Sequence, residues 1–168
     1  GVSVEEFYRA INYSAPSLIR TQADELTYSF HVMVRYEMEK MIFNGDVDVN
    51  ELPKIWNDKY EEYLGVCPEN DAEGIMQDVH WSGGMFGYFP SYALGSAYGA
   101  QLLSEMKKDV DVDAVIKSGK LTEINDWLRE KIWKFGCLYD PTDLFKMVCG
   151  EFDPDAYVGI LVAILILV

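Results

Sequence analysis

The chemistry-bearing side chains of this sequence concentrate in two adjoining stretches. Gly74-Ile-Met-Gln-Asp-Val-His-Trp81 carries an amide, a carboxylate and an imidazole, and Phe86-Gly-Tyr-Phe-Pro-Ser-Tyr92 adds two phenols. His80, Tyr88 and Tyr92 can each donate a hydrogen bond, the means by which negative charge developing on a carbonyl oxygen is stabilised. Glycines in both stretches let backbone pass close to a ligand. The same residues also have a purely structural reading: tyrosine and tryptophan commonly pack, and a loop histidine often serves one local hydrogen bond.

Other chemistries find little support. His31 and His80 are the only histidines, HExxH is absent, and no His/Cys/Glu cluster has metal-ligand spacing. His31 falls within a long helical pattern, with Arg35 and Asp24 near it only in sequence, so a structural or surface role stands beside a site role. Cys67, Cys137 and Cys149 are far apart and odd in number, which fits free thiols in a reducing compartment rather than a disulfide framework. Ser82 before Gly83-Gly84 is too loose a pattern for a nucleophile elbow. A formal charge of −14 without a basic stripe argues against nucleic-acid binding.

The elements that must carry these residues read mostly as helix. Glu5 to Tyr13 forms a short one, and Pro16 marks a turn. Thr21, three before Asp24, offers a capping box for a long helix with Leu26, Phe30, Met33 and Met41 as its apolar face and Asn44-Gly45 as its stop. A second helix runs from near Asn50 to Gly65 with Pro53 in its first turn. The segment from Val66 to Gly87 loses helical period and leaves room for a short strand over Ile75 to Trp81. A helix from Pro90 to about Lys108 has a small-sided beginning at Ala93, Gly95, Ala97, Gly99 and Ala100, where another element can approach closely. Asp113 to Ser118 and Leu121 to Phe135 make two more, and Asp140-Pro141 and Asp153-Pro154 each begin a further helix.

A length of 168 residues and a large aromatic content fit one packed domain. The expected fold is mainly α, with residues 1–157 a single helical domain or subdomain and 158–168 an atypical apolar tail. Eleven helical residues span ~16 Å against a ~30 Å hydrocarbon core, so the tail is expected to be a buried terminal segment. A tail altered by truncation or a frame error is the alternative, and a membrane role ranks last. Gly1 to Ala10 lacks the basic-then-apolar pattern of a signal peptide, and the default expectation is a cytoplasmic protein.

Ile19-Arg-Thr-Gln-Ala-Asp24 together with Gly74-Ile-Met-Gln-Asp-Val-His-Trp81 resembles the paired signatures of the carboxypeptidase Taq family. The continuations Ala23-Asp-Glu-Leu-Thr-Tyr28 and Ser82-Gly-Gly-Met-Phe-Gly-Tyr-Phe-Pro90 are similar as well, and the order and separation fit. The likeness covers nearly the whole chain apart from the aliphatic tail. It implies a helical, zinc- or cobalt-dependent carboxypeptidase, commonly a homodimer, that releases single amino acids from peptide C-termini. The family's HExxH and downstream glutamate lie N-terminal to these motifs, so the resemblance is to the C-terminal third only.

By this resemblance Arg20 binds the substrate's terminal carboxylate through a bidentate pair. The alternative pairs it with Asp24 or another acid to hold a helix entrance. His80 binds peptide backbone or carbonyl oxygen, and Tyr88, then Tyr92, is the oxyanion-stabilising tyrosine. Gln77 and Asp78 orient the loop or His80, Asp24 is a cap or positioning residue, and Trp81 packs. Trp133 stands where family members often have histidine, which weakens any assignment over 131–136. The chain itself supplies no metal ligand, requires an N-terminal metal-binding part, and is expected to be silent alone. A non-catalytic helical interaction module, or a structural remnant of a truncated gene, is the competing expectation.

Overall fold

A computed structural model describes the backbone of residues 1–167 and the side chains through Leu165. The helices are α1 (Val4–Ile11), α2 (Tyr28–Asn44), α3 (Leu52–Leu64), α4 (Pro90–Asp109), α5 (Val112–Ser118), α6 (Thr122–Lys131), α7 (Pro141–Cys149) and α8 (Asp155–Leu167). Single 3₁₀ turns occupy Arg20–Gln22, Val49–Glu51 and Trp133–Phe135. No strand occurs among the described residues.

Terminators follow local rules. Ser3 and Glu6 form a reciprocal capping box on α1. Gly45 and Gly65 end α2 and α3 with φ of 74° and 66°, the left-handed conformation that costs an L side chain strain. Pro53 and Pro141 sit in first turns, where a missing N–H is harmless. The amphipathic pattern from Leu121 to Phe135 breaks after Lys131 and finishes as a 3₁₀ turn.

Two expectations for the N-terminal half are corrected. The long helix begins at Tyr28 rather than beside Thr21, because Asp24 organises a turn instead of a capping box. Its carboxylate accepts from the Leu26 and Thr27 amides, the Thr27 hydroxyl, the Ser14 hydroxyl and the Ala15 amide. The 75–81 segment is a succession of turns, with Gly74 N donating to Asn70 O, Met76 N to Asp71 O and Gln77 N to Gly74 O. Backbone donors satisfied locally need no ladder partner.

The chain divides into two compact units, Gly1–Leu94 joined by the chain from Leu161, and Gly95–Ile160. In the first, Val34 and Met38 of α2 meet Trp56, Tyr60 and Leu64 of α3, all nearly inaccessible, with Leu18, Ile75 and Trp81 around them. Trp56, Tyr60 and Leu64 recur every fourth residue and so share one helix face. The apolar face read for α2 is rotated: Phe30 and Met33 are exposed, while His31, Val34, Arg35, Met38 and Glu39 point inward. The polar members of that face bind one another and the turns around them, which decides the rotation.

In the second unit, Met106, Val112 and Trp127 form a small core with Leu102, Ile124 and Leu128. Phe145 of α7 stacks on Tyr98 with centroids 4.1 Å apart. Gln101 holds the turn after α7, its Nε2 donating to Glu151 O at 2.9 Å and its Oε1 accepting from Asp153 N at 2.9 Å. Among the described residues nothing lies within 4 Å of a Cβ added at Gly95 or Gly99, whereas Ala97 and Ala100 of the same small-sided stretch are buried. The tail also departs from expectation: Val158, Val162 and Leu165 are about half or more exposed. An all-aliphatic helix has no polar face to turn outward, so some of its side chains stay in water. Among the described residues no helix is long and apolar enough to cross a membrane.

Two glycine substitutions should have opposite signs. Gly65→Ala, at φ +66° with open space around it, is expected to destabilise by about 1 kcal/mol. Gly95→Ala, inside α4 and equally open, is expected to stabilise by roughly 0.5–1 kcal/mol. Urea unfolding midpoints of both variants check the pair.

Candidate functional site

One carboxylate, largely but not fully buried, joins three parts of the first unit. Asp78 Oδ1 accepts from Arg20 Nε at 3.0 Å and Nη2 at 2.8 Å, while Oδ2 accepts from Arg35 Nε at 2.6 Å. Gln77 doubles the connection. Its Oε1 accepts from the Arg20 amide at 2.9 Å and Arg35 Nη2 at 2.8 Å, and its Nε2 donates to Leu18 O and Glu73 O. Gln77 and Asp78 thus tie the 70s turns to the 3₁₀ turn at Arg20 and to α2.

The arginines are held on every side. Arg20 Nη1 donates to Tyr28 OH at 2.9 Å, and the guanidinium carbon lies 4.8 Å from the Tyr92 ring centroid and 5.6 Å from that of Phe89. Arg35 is fully buried, donates through Nη1 to His31 O and Tyr60 OH, and stacks over Trp56 at 4.6 Å. Aromatic faces favour such desolvated cations.

Burial works against the charges of this cluster, and mutual pairing outweighs it. Arg20 is raised above its ordinary pKa because the gains from Asp78 and Tyr28 exceed its desolvation. Asp78 is held below the usual carboxylate range because Arg20 and Arg35 overcome its burial. His31 goes the other way: burial, then the charges of Arg35 and Arg20, push it down to about 4. It is therefore neutral near pH 7, sharing a hydrogen bond between Nδ1 and Tyr60 OH at 3.0 Å, with Nε2 buried and unpartnered.

Beside the arginine lattice lies the cluster of donors. His80 Nε2 and Tyr92 OH are 3.0 Å apart, and His80 Nδ1 is buried without a partner. The His80 ring packs on Phe89 at 4.4 Å and stacks on Tyr88 at 5.9 Å, and Tyr88 meets Tyr92 edge-on at 5.4 Å. Tyr88 is half exposed. The structure therefore gathers Arg20, Gln77, Asp78, His80, Tyr88 and Tyr92 into one continuous neighbourhood. Asp24 stands apart in its own turn, and the carboxylate partner of Arg20 is Asp78.

No sequence motif gives a site role to Arg35, Glu39, Tyr28 or Tyr60. His31, Arg35 and Glu39 recur at helical spacing, the one signal that could have placed them on a common face. Among the described residues no group of three or more His, Cys, Asp or Glu could hold a metal ion. His31 faces Tyr60 beside the Arg35 guanidinium, and His80 sits among aromatic rings, so neither has the set of ligand atoms that a metal ion needs.

Fold and site together define a mainly helical module in which a largely buried carboxylate ties two arginines together beside a cluster of hydroxyl and imidazole groups. The model of the carboxypeptidase Taq (M32) metallopeptidase family matches residues 1–164, and the chain belongs to that family. It is 52% identical over 151 residues to carboxypeptidase 1 of Bacillus subtilis, covering 89% of this chain and 30% of that protein. Among solved structures, Trypanosoma cruzi metallocarboxypeptidase 1 superposes with a TM-score of 0.91 at 41% identity, covering 96% of this chain and 35% of the other. A Pyrococcus furiosus carboxypeptidase gives 0.93 at 37% identity, over 96% and 33% of the respective chains. The chain spans about a third of the length of these relatives.

Asp78→Asn leaves two buried guanidinium groups without their counter-charge and is expected to cost about 3–5 kcal/mol in urea unfolding. The pH dependence follows from His31. Its folded pKa lies below its ordinary 6.5, so the unfolded chain takes up the proton first. Stability is whole above 6.5 and falls as pH drops toward about 4, by about 3 kcal/mol from this group. The Asp78 contribution is lost only at lower pH, as its depressed carboxyl protonates. In His31→Leu the unfolding midpoint should change little between pH 6.5 and 4 compared with the parent.

Proposed function

We propose that this chain is the C-terminal, substrate-facing portion of a metal-dependent carboxypeptidase that releases single amino acids from peptide C-termini. The observation that carries the reading is the junction of Arg20 with Tyr92 and His80, a cation beside a hydrogen-bonded phenol–imidazole pair. An exopeptidase must recognise a terminal carboxylate and stabilise charge on the adjacent carbonyl, and these groups match both tasks.

Arg20 takes the terminal carboxylate. A guanidinium has five N–H groups, and Asp78 and Tyr28 engage one each on Nε, Nη1 and Nη2. One N–H remains on each terminal nitrogen, enough for a carboxylate to be held by two bonds. Tyr88 donates toward the scissile carbonyl, and His80 acts there through the Tyr92 hydroxyl bonded to its Nε2. Gln77 and Asp78 position Arg20, and Asp24 positions the turn that leads into α2. The metal, zinc or cobalt, belongs to an N-terminal part of the same enzyme, since no group among the described residues here could hold one. Homodimeric assembly and a cytoplasmic setting accompany this reading.

One observation favours a purely structural role instead: Arg20 is 6% exposed and already paired with Asp78. Reconstitution separates the two. The chain alone, with added zinc or cobalt, is expected to show no carboxypeptidase turnover. Mixed with an HExxH-containing portion of a relative, it should release C-terminal residues. Arg20→Lys should then lower kcat/KM by roughly a hundredfold, about 3 kcal/mol, for free-acid peptides. It should also reduce the binding preference for free-acid over C-terminally amidated peptides. Silence of a mixture whose parts are both folded, or an unchanged preference, would favour the structural role.

A further inference from the structure

Glu39 is 5% exposed on the inward face of α2 and takes no part in the chemistry derived so far. Its Oε1 accepts from the Trp81 indole Nε1 at 2.8 Å, and its Oε2 accepts from the Gly87 amide at 3.0 Å. A buried carboxylate is expensive unless each oxygen finds a donor, and here both do so through neutral N–H groups. Two donors facing two oxygens require an acceptor-only side chain. Glutamine would turn its NH₂ toward one of them.

The segment between these donors closes on itself. Gly83 N donates to Val79 O, Gly84 N to Trp81 O, and Met85 N to His80 O at 2.8 Å. Gly84 and Gly87 adopt φ of +75° and +77°, so the turn depends on glycine at both places. Glu39 thus grips the loop at its two ends. The residue just before the first grip is His80, and the residue just after the second is Tyr88. Their rings stack with centroids 5.9 Å apart and planes 26° apart, and Tyr92 OH meets His80 Nε2.

We propose that Glu39 is a positioning residue for the reaction: by clasping Trp81 and Gly87 it sets the separation and tilt of His80 and Tyr88. It acts through those two residues and does not itself touch the peptide. The catalytic consequence rests on the functional reading above, whereas the clasp does not. Placement matters at this scale, because a shift of about 1 Å at a reacting centre can cost roughly a hundredfold in rate.

The test begins with NMR on this chain. In Glu39→Gln the Trp81 indole and Gly87 amide protons are expected to lose hydrogen-exchange protection by roughly tenfold or more. The His80 and Tyr88 ring resonances are expected to shift. Tyr63→Phe is the control: it removes a hydroxyl that donates to Glu37, also on α2, at 2.7 Å, and should leave those resonances in place. If Glu39→Gln does not fold, Glu39→Asp, one methylene too short to span both donors, is read in the same way. In the reconstituted enzyme Glu39→Gln should lower kcat by roughly ten- to a hundredfold with KM within about twofold. Unmoved His80 and Tyr88 resonances in a folded variant overturn the proposal, whatever happens to activity. Moved resonances with unchanged kcat overturn the catalytic role and leave the clasp. An inactive wild-type mixture counts against the functional reading, while the resonances still decide the clasp.

Discussion

Asp78 is the group on which the remaining structure of the first unit depends. Its carboxylate meets two guanidinium groups that come from separate parts of the chain, the turn at Arg20 and helix α2 at Arg35. Each of the three side chains would be expensive to bury by itself. Together they satisfy one another, and Gln77 fills the remaining acceptor role between the same two arginines. The 70s turns carry no regular structure and little buried apolar surface of their own. Their position against α2 is fixed by these bonds and by Ile75 and Trp81 at the edge of the core.

That constraint explains the orientation of α2. A helix with Phe30, Met33 and Met41 on one side would ordinarily turn those residues inward. Here the inward face carries His31, Arg35 and Glu39 alongside Val34 and Met38. Each polar residue has a separate task. Arg35 binds Asp78, Gln77 and Tyr60; His31 meets Tyr60 as a neutral ring; Glu39 takes Trp81 and Gly87. Two or three good hydrogen bonds to a buried charge outweigh the burial of two apolar side chains, roughly 1.5–3 kcal/mol each for burial. The helix accordingly shows phenylalanine and methionine to the outside.

This division decides what was legible in the sequence. Helix ends written in the backbone chemistry of one or two residues, such as Gly45, Gly65, Pro53 and Asp140-Pro141, were readable because nothing distant is needed to specify them. The motif residues Arg20, Gln77, Asp78, His80, Tyr88 and Tyr92 were readable as a set of donors and acceptors, and they do come together. Their partners were not readable. Arg20 and Asp78 lie 58 residues apart, and no local period encodes such a pairing. The spacing of His31, Arg35 and Glu39 identifies a shared face, but only the tertiary contacts make it the inner one. The start of α2 was misplaced for a related reason, since the five donors on Asp24 include Ser14 and Ala15 from beyond the local turn.

The charge balance of the cluster connects this architecture to the proposed recognition of a peptide terminus. Arg20 and Arg35 bring two positive charges against the single negative charge of Asp78, while His31 is kept neutral by burial and by those same arginines. An uncompensated positive charge in a partly desolvated site is unfavourable by itself and favourable toward an anion. A substrate carboxylate would complete the balance. On that proposal Asp78 would serve two needs at once: it neutralises part of the charge of the folded cluster, and it fixes Arg20 so that little side-chain entropy would be lost on binding. Arg35 takes the second oxygen of Asp78, so the carboxylate is shared between the two guanidinium groups, and on the proposed function Arg20 would keep an attraction for an incoming terminus.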